Sequence, residues 1–191
     1  MLTLAKSDEK LISQALNGSQ RSWVSLVKRY EGLIYNYCLR VTGSPAEAMD
    51  LMQEVFLTIY RNLPSYQGSN QFKGWMMRIT TNKTIDFLRH KKRNPQHFGE
   101  EYEENDSNNY SVSMQGGPDY HYAQADNREQ VTAMMQSLPS EQRLVVELKF
   151  FQDYTFEDIS AQLNIPVNTI KSRLYAALNK LKDQTEKQHV L

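Results

Sequence analysis

Asn168, Lys171, Ser172 and Tyr175 recur at spacings of three, four and seven residues, with Thr169 and Arg173 beside them. On a helix this spacing gathers hydrogen-bond donors, acceptors and two positive charges on one side. Those are the groups that base edges and phosphates require. A second constellation is cationic: Lys73, Arg78, Lys83, Arg89, Lys91, Lys92 and Arg93 follow one another along a single stretch. Such a series neutralises phosphates, and its affinity falls steeply with salt. A third is acidic: Glu47, Asp50, Gln53 and Glu54 stand at helical spacing. It suits either a basic partner or plain solvation.

Groups for bond-making chemistry are scarce. His90, His97, His121 and His189 are scattered without metal-ligand spacing. The glycine pair in Gly116-Gly117-Pro118-Asp119 lacks the Lys-Ser/Thr that a phosphate loop needs. Cys38, the only cysteine, stands among Tyr35, Tyr37 and Leu39 and reads as a small buried residue rather than a nucleophile. No catalysis, cofactor or metal is expected, and a single thiol excludes a disulfide within the chain.

Helices must position these groups. The pattern predicts a first helix over about Ser7–Asn17 and a second over about Gln20–Val41, ended by Gly43. Ser44-Pro45-Ala46-Glu47 combines a capping serine, a proline at the first helical position and a glutamate at the third. Ala48, Leu51, Met52, Val55, Phe56, Ile59 and Leu63 then recur at helical period until Pro64 and Gly68. A fourth helix spans about Gln71–Lys92, with Phe72, Trp75, Met76 and Ile79 on one face. Four more are expected over about Arg128–Ser137, Ser140–Phe151, Thr155–Leu163 and Val167–Lys182. In the last pair, Thr155 and Asp158 suit a capped start and Asn164 a left-handed turn. Pro166 can open the second helix, and Ile170, Leu174, Ala177, Leu178 and Leu181 supply its inward face. This is a helix-turn-helix. No stretch alternates as a strand does, so the expected fold class is all-α.

Net charge is zero, but it is segregated. Residues 1–95 hold fourteen Lys/Arg against seven Asp/Glu, residues 96–127 hold seven acids and no base, and the remainder balances at eight of each. Distinct partners for distinct parts follow. The acidic stretch, rich in Asn, Ser, Gly and Pro, buries too little apolar surface to order itself and reads as a tether. Its Tyr102, Tyr110, Tyr120 and Tyr122 allow docking on a partner as readily as free motion. The division is therefore two small helical domains, 1–95 and 127–185, a flexible acidic linker at 96–126 and a tail at 186–191. Neither a membrane-spanning run nor a secretory leader is evident, so the expected location is cytoplasmic.

Two segments together carry a family resemblance. AEAMDLMQEVFLTIYRNLPSYQGSNQFKGWMMRITTNKTIDFLRHKKR resembles the core-binding and −10-recognition regions, domain 2, of the sigma-70 family. LPSEQRLVVELKFFQDYTFEDISAQLNIPVNTIKSRLYAALNKLK resembles its −35-binding domain 4, and the pair is similar to the extracytoplasmic-function group. The resemblance implies an RNA polymerase sigma factor that binds core polymerase, recognises −10 and −35 elements and serves a dedicated regulon. Its partners would be the clamp helices of the largest polymerase subunit, the flap region, promoter DNA and an anti-sigma factor, with no membrane.

Carried onto this chain, the resemblance makes Glu47, Asp50, Gln53 and Glu54 the core-binding face, although Met49 stands where many members have a further acid. Ser65, Tyr66, Gln67 and Gly68 match the loop that captures an extruded base. Lys73, Trp75, Arg78, Asn82, Lys83, Asp86, Arg89, Lys91, Lys92 and Arg93 follow as the −10 helix. Trp75 is open between core packing and base stacking. Asn168, Thr169, Lys171, Ser172, Arg173 and Tyr175 would read the −35 element, with Ala176 replacing a frequent arginine. The competing reading is a free-standing helix-turn-helix regulator whose first half dimerises or senses a ligand, binding a palindrome unaided.

Overall fold

Three serines start the first three helices. Ser7 accepts from the Lys10 N–H ahead of α1 (Asp8–Leu16), and Ser19 from the Ser22 N–H ahead of α2 (Gln20–Thr42). Ser44 accepts from the Glu47 N–H ahead of α3 (Pro45–Asn62), with Pro45 in the first turn. Each satisfies a donor that the helix itself leaves free. Gly43 ends α2 in the left-handed conformation at φ +80°, which glycine adopts without a Cβ penalty. A 3₁₀ turn, Leu63–Ser65, closes α3, and α4 covers Phe72–Arg93.

The computed structural model describes residues 6–68, 72–93 and 130–188, the side chains of the last two excepted. The stretch expected to be an acidic tether, with its four tyrosines, residues 69–71 of the loop, and both chain ends lie outside the described residues.

The second half begins with α5 (residues 130–136) and α6 (Ser140–Val146). The single helix expected over Ser140–Phe151 is not uniform: Glu147–Phe151 is a π turn. A π turn re-aims side chains and often marks a functional position. Next come α7 (Phe156–Leu163) and α8 (Val167–Gln188). Thr155 and Asp158 form a full capping box, each side chain accepting the other residue's N–H. Asn164 adopts φ +54° in the turn, as its residue type suggested. Ser160 closes the turn, its hydroxyl donating to the Ile165 carbonyl at 2.6 Å. Thr155→Ala should lower the stability of this half by about 1 kcal/mol. A shifted denaturant midpoint for the C-terminal transition checks it.

Every helix among the described residues buries one stripe. Ala48, Leu51, Val55 and Ile59 of α3 meet Leu26, Ile34, Tyr37 and Val41 of α2. Met76, Met77, Thr80, Thr81 and Thr84 line the inner side of α4. The buried threonines need partners, and find them: Thr80 and Thr84 donate to the carbonyls four residues back, and Tyr37 donates to Thr81. In the second half Leu144, Val145, Leu148, Ile159, Ile170, Leu174 and Ala177 form the centre. Leu178, assigned inward from its spacing, is 38% exposed.

The halves touch at the end of α2. Its last carbonyls have no helical partner, and the second half supplies them: Gln136 donates to the Arg40 carbonyl at 2.9 Å, and Arg143 to that of Val41 at 2.5 Å.

Candidate nucleic-acid and partner interfaces

The buried stripe of α3 leaves a continuous opposite face. Asp50, Gln53, Glu54, Leu57 and Tyr60 are exposed along it. Glu47 is not on that face. It is half-buried and its carboxylate bonds Lys91 of α4, which ties the start of α3 to the end of α4. Glu54 is exposed and only 3.9 Å from Lys83, a separation at which a surface pair contributes little.

Beside the acidic residues runs an apolar groove that the sequence reading missed. Trp23, Val27, Met52, Phe56, Leu57 and Tyr60 line about 770 Å³ between α2 and α3. Trp23 stands edge-on to Phe56 at 6.4 Å and to Tyr60 at 5.0 Å. Leu57 and Tyr60 are each more than half exposed, as few residues of their size are. The available signal was two apolar residues three apart, off the buried stripe.

Along α4 the expected face is present with two exceptions. Lys73, Arg78, Asn82, Asp86, Arg89, Lys92 and Arg93 are exposed. Lys83 is half-buried near Glu54, and Lys91 is committed to Glu47. The Lys91 ammonium is neutralised locally and Lys83 is only approached by Glu54, because α4 packs antiparallel enough to α3 for its cations to near the acids there. Asp86 lies 3.8 Å from Arg89, both exposed. Ser65, Gln67 and Gly68 are exposed ahead of α4, and Tyr66 is half-buried.

Trp75 is packed but not enclosed. Its ring packs on Tyr66 at 5.3 Å and on Phe72 at 5.7 Å, yet it stays half-buried and lines a cleft with Ser65, Tyr66, Gln67 and Arg78. Tyr30 extends the aromatic cluster to Phe72.

On α8, Asn168, Ser172 and Tyr175 face solvent, Tyr175 at 60%. Thr169, Lys171 and Arg173 are half-buried. The Lys171 ammonium lies over the Phe156 ring at 5.5 Å, and Arg173 bonds Glu141 of α6 at 2.5 Å. Asn168, Ser172 and Tyr175 thus share one side of the helix, with the two cations at its edges steered by neighbours. Ser172 donates to the Thr169 carbonyl. Ala176 is exposed beside Tyr175.

Residues 26–94 match the sigma-70 region 2 family, and residues 128–181 match sigma-70 region 4. Over 178 residues the chain is 31% identical to the ECF RNA polymerase sigma factor SigW of Bacillus subtilis (strain 168), covering 92% of this chain and 95% of that one. The chain belongs to the ECF group of sigma-70 factors. It is also 27% identical over 173 residues to the ECF RNA polymerase sigma-E factor of Escherichia coli (strain K12), covering 90% of each. Among solved structures, CnrH in complex with the cytosolic domain of CnrY aligns at TM-score 0.58 and 21% identity, over 95% of this chain and 99% of that one. The sigma factor RpoE of Bartonella quintana, in complex with the anti-sigma factor NepR, aligns at 0.61 and 22%, over 87% and 98%. At these identities the likeness is one of fold, and the fold is the all-α one expected.

Three further titratable groups of this sigma factor are shifted by their surroundings. Burial pushes the Cys38 thiol up to about 12, where a thiolate nucleophile is not formed at neutral pH. Burial likewise raises the Glu147 carboxyl, against the opposing effect of Arg40. Hydrogen bonds from Thr155 hold the Asp158 carboxyl below its usual range, as a capping carboxylate requires. Among the described residues no cluster of three or more His, Cys, Asp or Glu could hold a metal ion. No helix of the described residues is long and apolar enough to cross a membrane.

Proposed function

We propose that this sigma factor grips core RNA polymerase through the outer face of α3, opens and holds the −10 element along α4, and reads the −35 element with α8. The observation that carries the assignment is the order of three chemically distinct faces: acidic-apolar on α3, cationic-aromatic on α4, and hydrogen-bonding on α8. The polymerase clamp helices are the partner for Asp50, Gln53 and Glu54, with Leu57, Tyr60 and Trp23 supplying apolar area beside them. Aromatic residues at the centre of a contact with charges around them describe a protein–protein interface. On this reading residues 1–95 and 127–185 act as separate modules joined by residues 96–126. The flap region is the polymerase partner of the second module. The protein acts in the cytoplasm without an enzymatic step, metal or cofactor of its own, and an anti-sigma protein is its regulatory partner.

Strand capture on α4 follows from charge and stacking. An extruded base needs a π surface to replace its lost neighbours, and Trp75 beside Tyr66 offers one. Lys73, Arg78, Arg89, Lys92 and Arg93 are the exposed cations of α4 that phosphates would meet. In the holoenzyme, Lys73→Ala should reduce the slope of log affinity against log salt for a single-stranded promoter fragment by about 0.7. Lys91→Ala should leave that slope unchanged, since its ammonium already serves Glu47.

Transcription by purified core polymerase plus this protein, on a promoter library with start sites mapped, tests the whole reading. Start sites that depend on the added protein and share upstream elements support it. Failure to bind core and to start RNA synthesis refutes it, leaving a protein that only binds DNA.

A further inference from the structure

The two halves are joined by an ionic clasp that the activity above does not use. Glu147 is fully buried, and its carboxylate takes a bidentate pair from Arg40 of α2 at 2.6 and 2.7 Å. The Phe151 ring lies over the same guanidinium at 4.0 Å. Both belong to the π turn. The extra residue in that turn brings a carboxylate and a ring, four positions apart, onto one cation from two sides. Gln152 donates to the Glu147 carboxylate at 3.0 Å and fixes it.

The clasp has a consequence at α4. Gln162 of α7 donates to the side-chain oxygen of Asn82 at 2.9 Å and to the Arg78 carbonyl at 3.3 Å. Tyr154, Asp158 and Gln162 wall the cleft whose other side is Tyr66, Trp75 and Arg78. A base approaching Trp75, with its strand along Arg78 and Asn82, meets α7.

We propose that the π turn Glu147–Phe151 is a latch on Arg40 that keeps the second half closed over the −10 surface of α4, so that the free protein is shielded from single-stranded DNA. This rests on the assignment of α4 to the −10 strand. The chemistry suits a contact that must release. Opening returns both ions to water, so a buried pair that is specific in geometry contributes little net stability. An apolar joint of the same area would expose its surface on opening and hold harder.

The test uses the full chain in three forms: wild type, Arg40→Glu, and Arg40→Glu with Glu147→Arg. Small-angle scattering reports opening, circular dichroism reports helicity, and a fluorescent single-stranded oligonucleotide of mixed sequence reports access. Arg40→Glu should raise the radius of gyration and tighten oligonucleotide binding about tenfold, the factor set by a closed form that leaves roughly a tenth of molecules open. The exchanged pair should reverse both changes. An unchanged radius with helicity intact overturns the latch. Should Arg40→Glu lose helicity, Phe151→Ala decides: it removes the ring without stranding a charge, and no shift in either readout overturns the latch. An opened chain with unchanged affinity overturns the shielding. In that background Lys73→Ala with Arg78→Ala separates the causes. Weaker binding there leaves the assignment of α4 standing, whereas unaltered binding removes the assignment itself.

Discussion

Asp50→Lys combined with Glu54→Lys abolishes association with core polymerase while the circular dichroism of the protein stays unchanged. Both side chains are exposed on α3 and neither caps a helix. Glu54 gives up only a 3.9 Å approach to Lys83, which costs little at the surface. The fold therefore survives. On the proposed assignment the interface does not, because two acids facing a basic partner would become two like charges against it. Losing one charged contact within a desolvated interface costs about 2–5 kcal/mol, and two reversals together weaken binding by at least about a thousandfold. Titration of labelled core with the variant measures this. Binding within tenfold of wild type would show that the acidic residues are merely solvated. Tyr60→Ala distinguishes the apolar part: it uncovers Trp23, and a loss of about tenfold or more marks the groove as part of the same contact.

Lys171→Ala with Arg173→Ala lowers initiation at promoters that depend on the −35 element by about a hundredfold and leaves core binding unchanged. Each base-edge or phosphate contact of this type is worth about 1–3 kcal/mol, and two add when they lie on separate groups. The structure sharpens the expectation for Arg173. Glu141 holds its guanidinium at 2.5 Å, so the side chain is oriented before DNA arrives, at the cost of a competing acceptor. Lys171 is steered over Phe156 in a similar way. Run-off transcription from matched promoters with and without a −35 element provides the check. Equal loss on both templates would mean that the damage lies in folding or in polymerase contact, and no loss would move the reading face elsewhere.

How much was legible without coordinates differs from element to element. Ser7, Ser19, Ser44 and Thr155 announce helix starts because capping is local: donor and acceptor lie within three residues. Gly43 and Asn164 announce turns for the same reason, since a positive φ is a property of the residue. Helical period separated the buried stripe of α3 from Asp50, Gln53 and Glu54. It also placed Asn168, Ser172 and Tyr175 on one side of α8.

Period alone failed where a distant segment intervened. Glu47 and Lys91 were assigned to different partners, yet their helices bring them to each other across 44 positions. Leu178 has the spacing of a core residue, yet it is 38% exposed beside the buried Ala177. The π turn inside an apparently uniform helix has no local signature in Glu-Leu-Lys-Phe-Phe.

By itself, then, the amino-acid order determined that this protein is all-helical, where most of its helices begin, and most of the stripe that each buries, since these depend on neighbours within one or two turns. Only tertiary structure decided which charges remain available to a partner and which are spent inside the molecule. Arg40 is the plainest case: nothing near it in the chain marks it as a clasp, because its carboxylate lies 107 residues away. Coulombic pairing depends on separation in space, and separation in space is what the packing of helices sets.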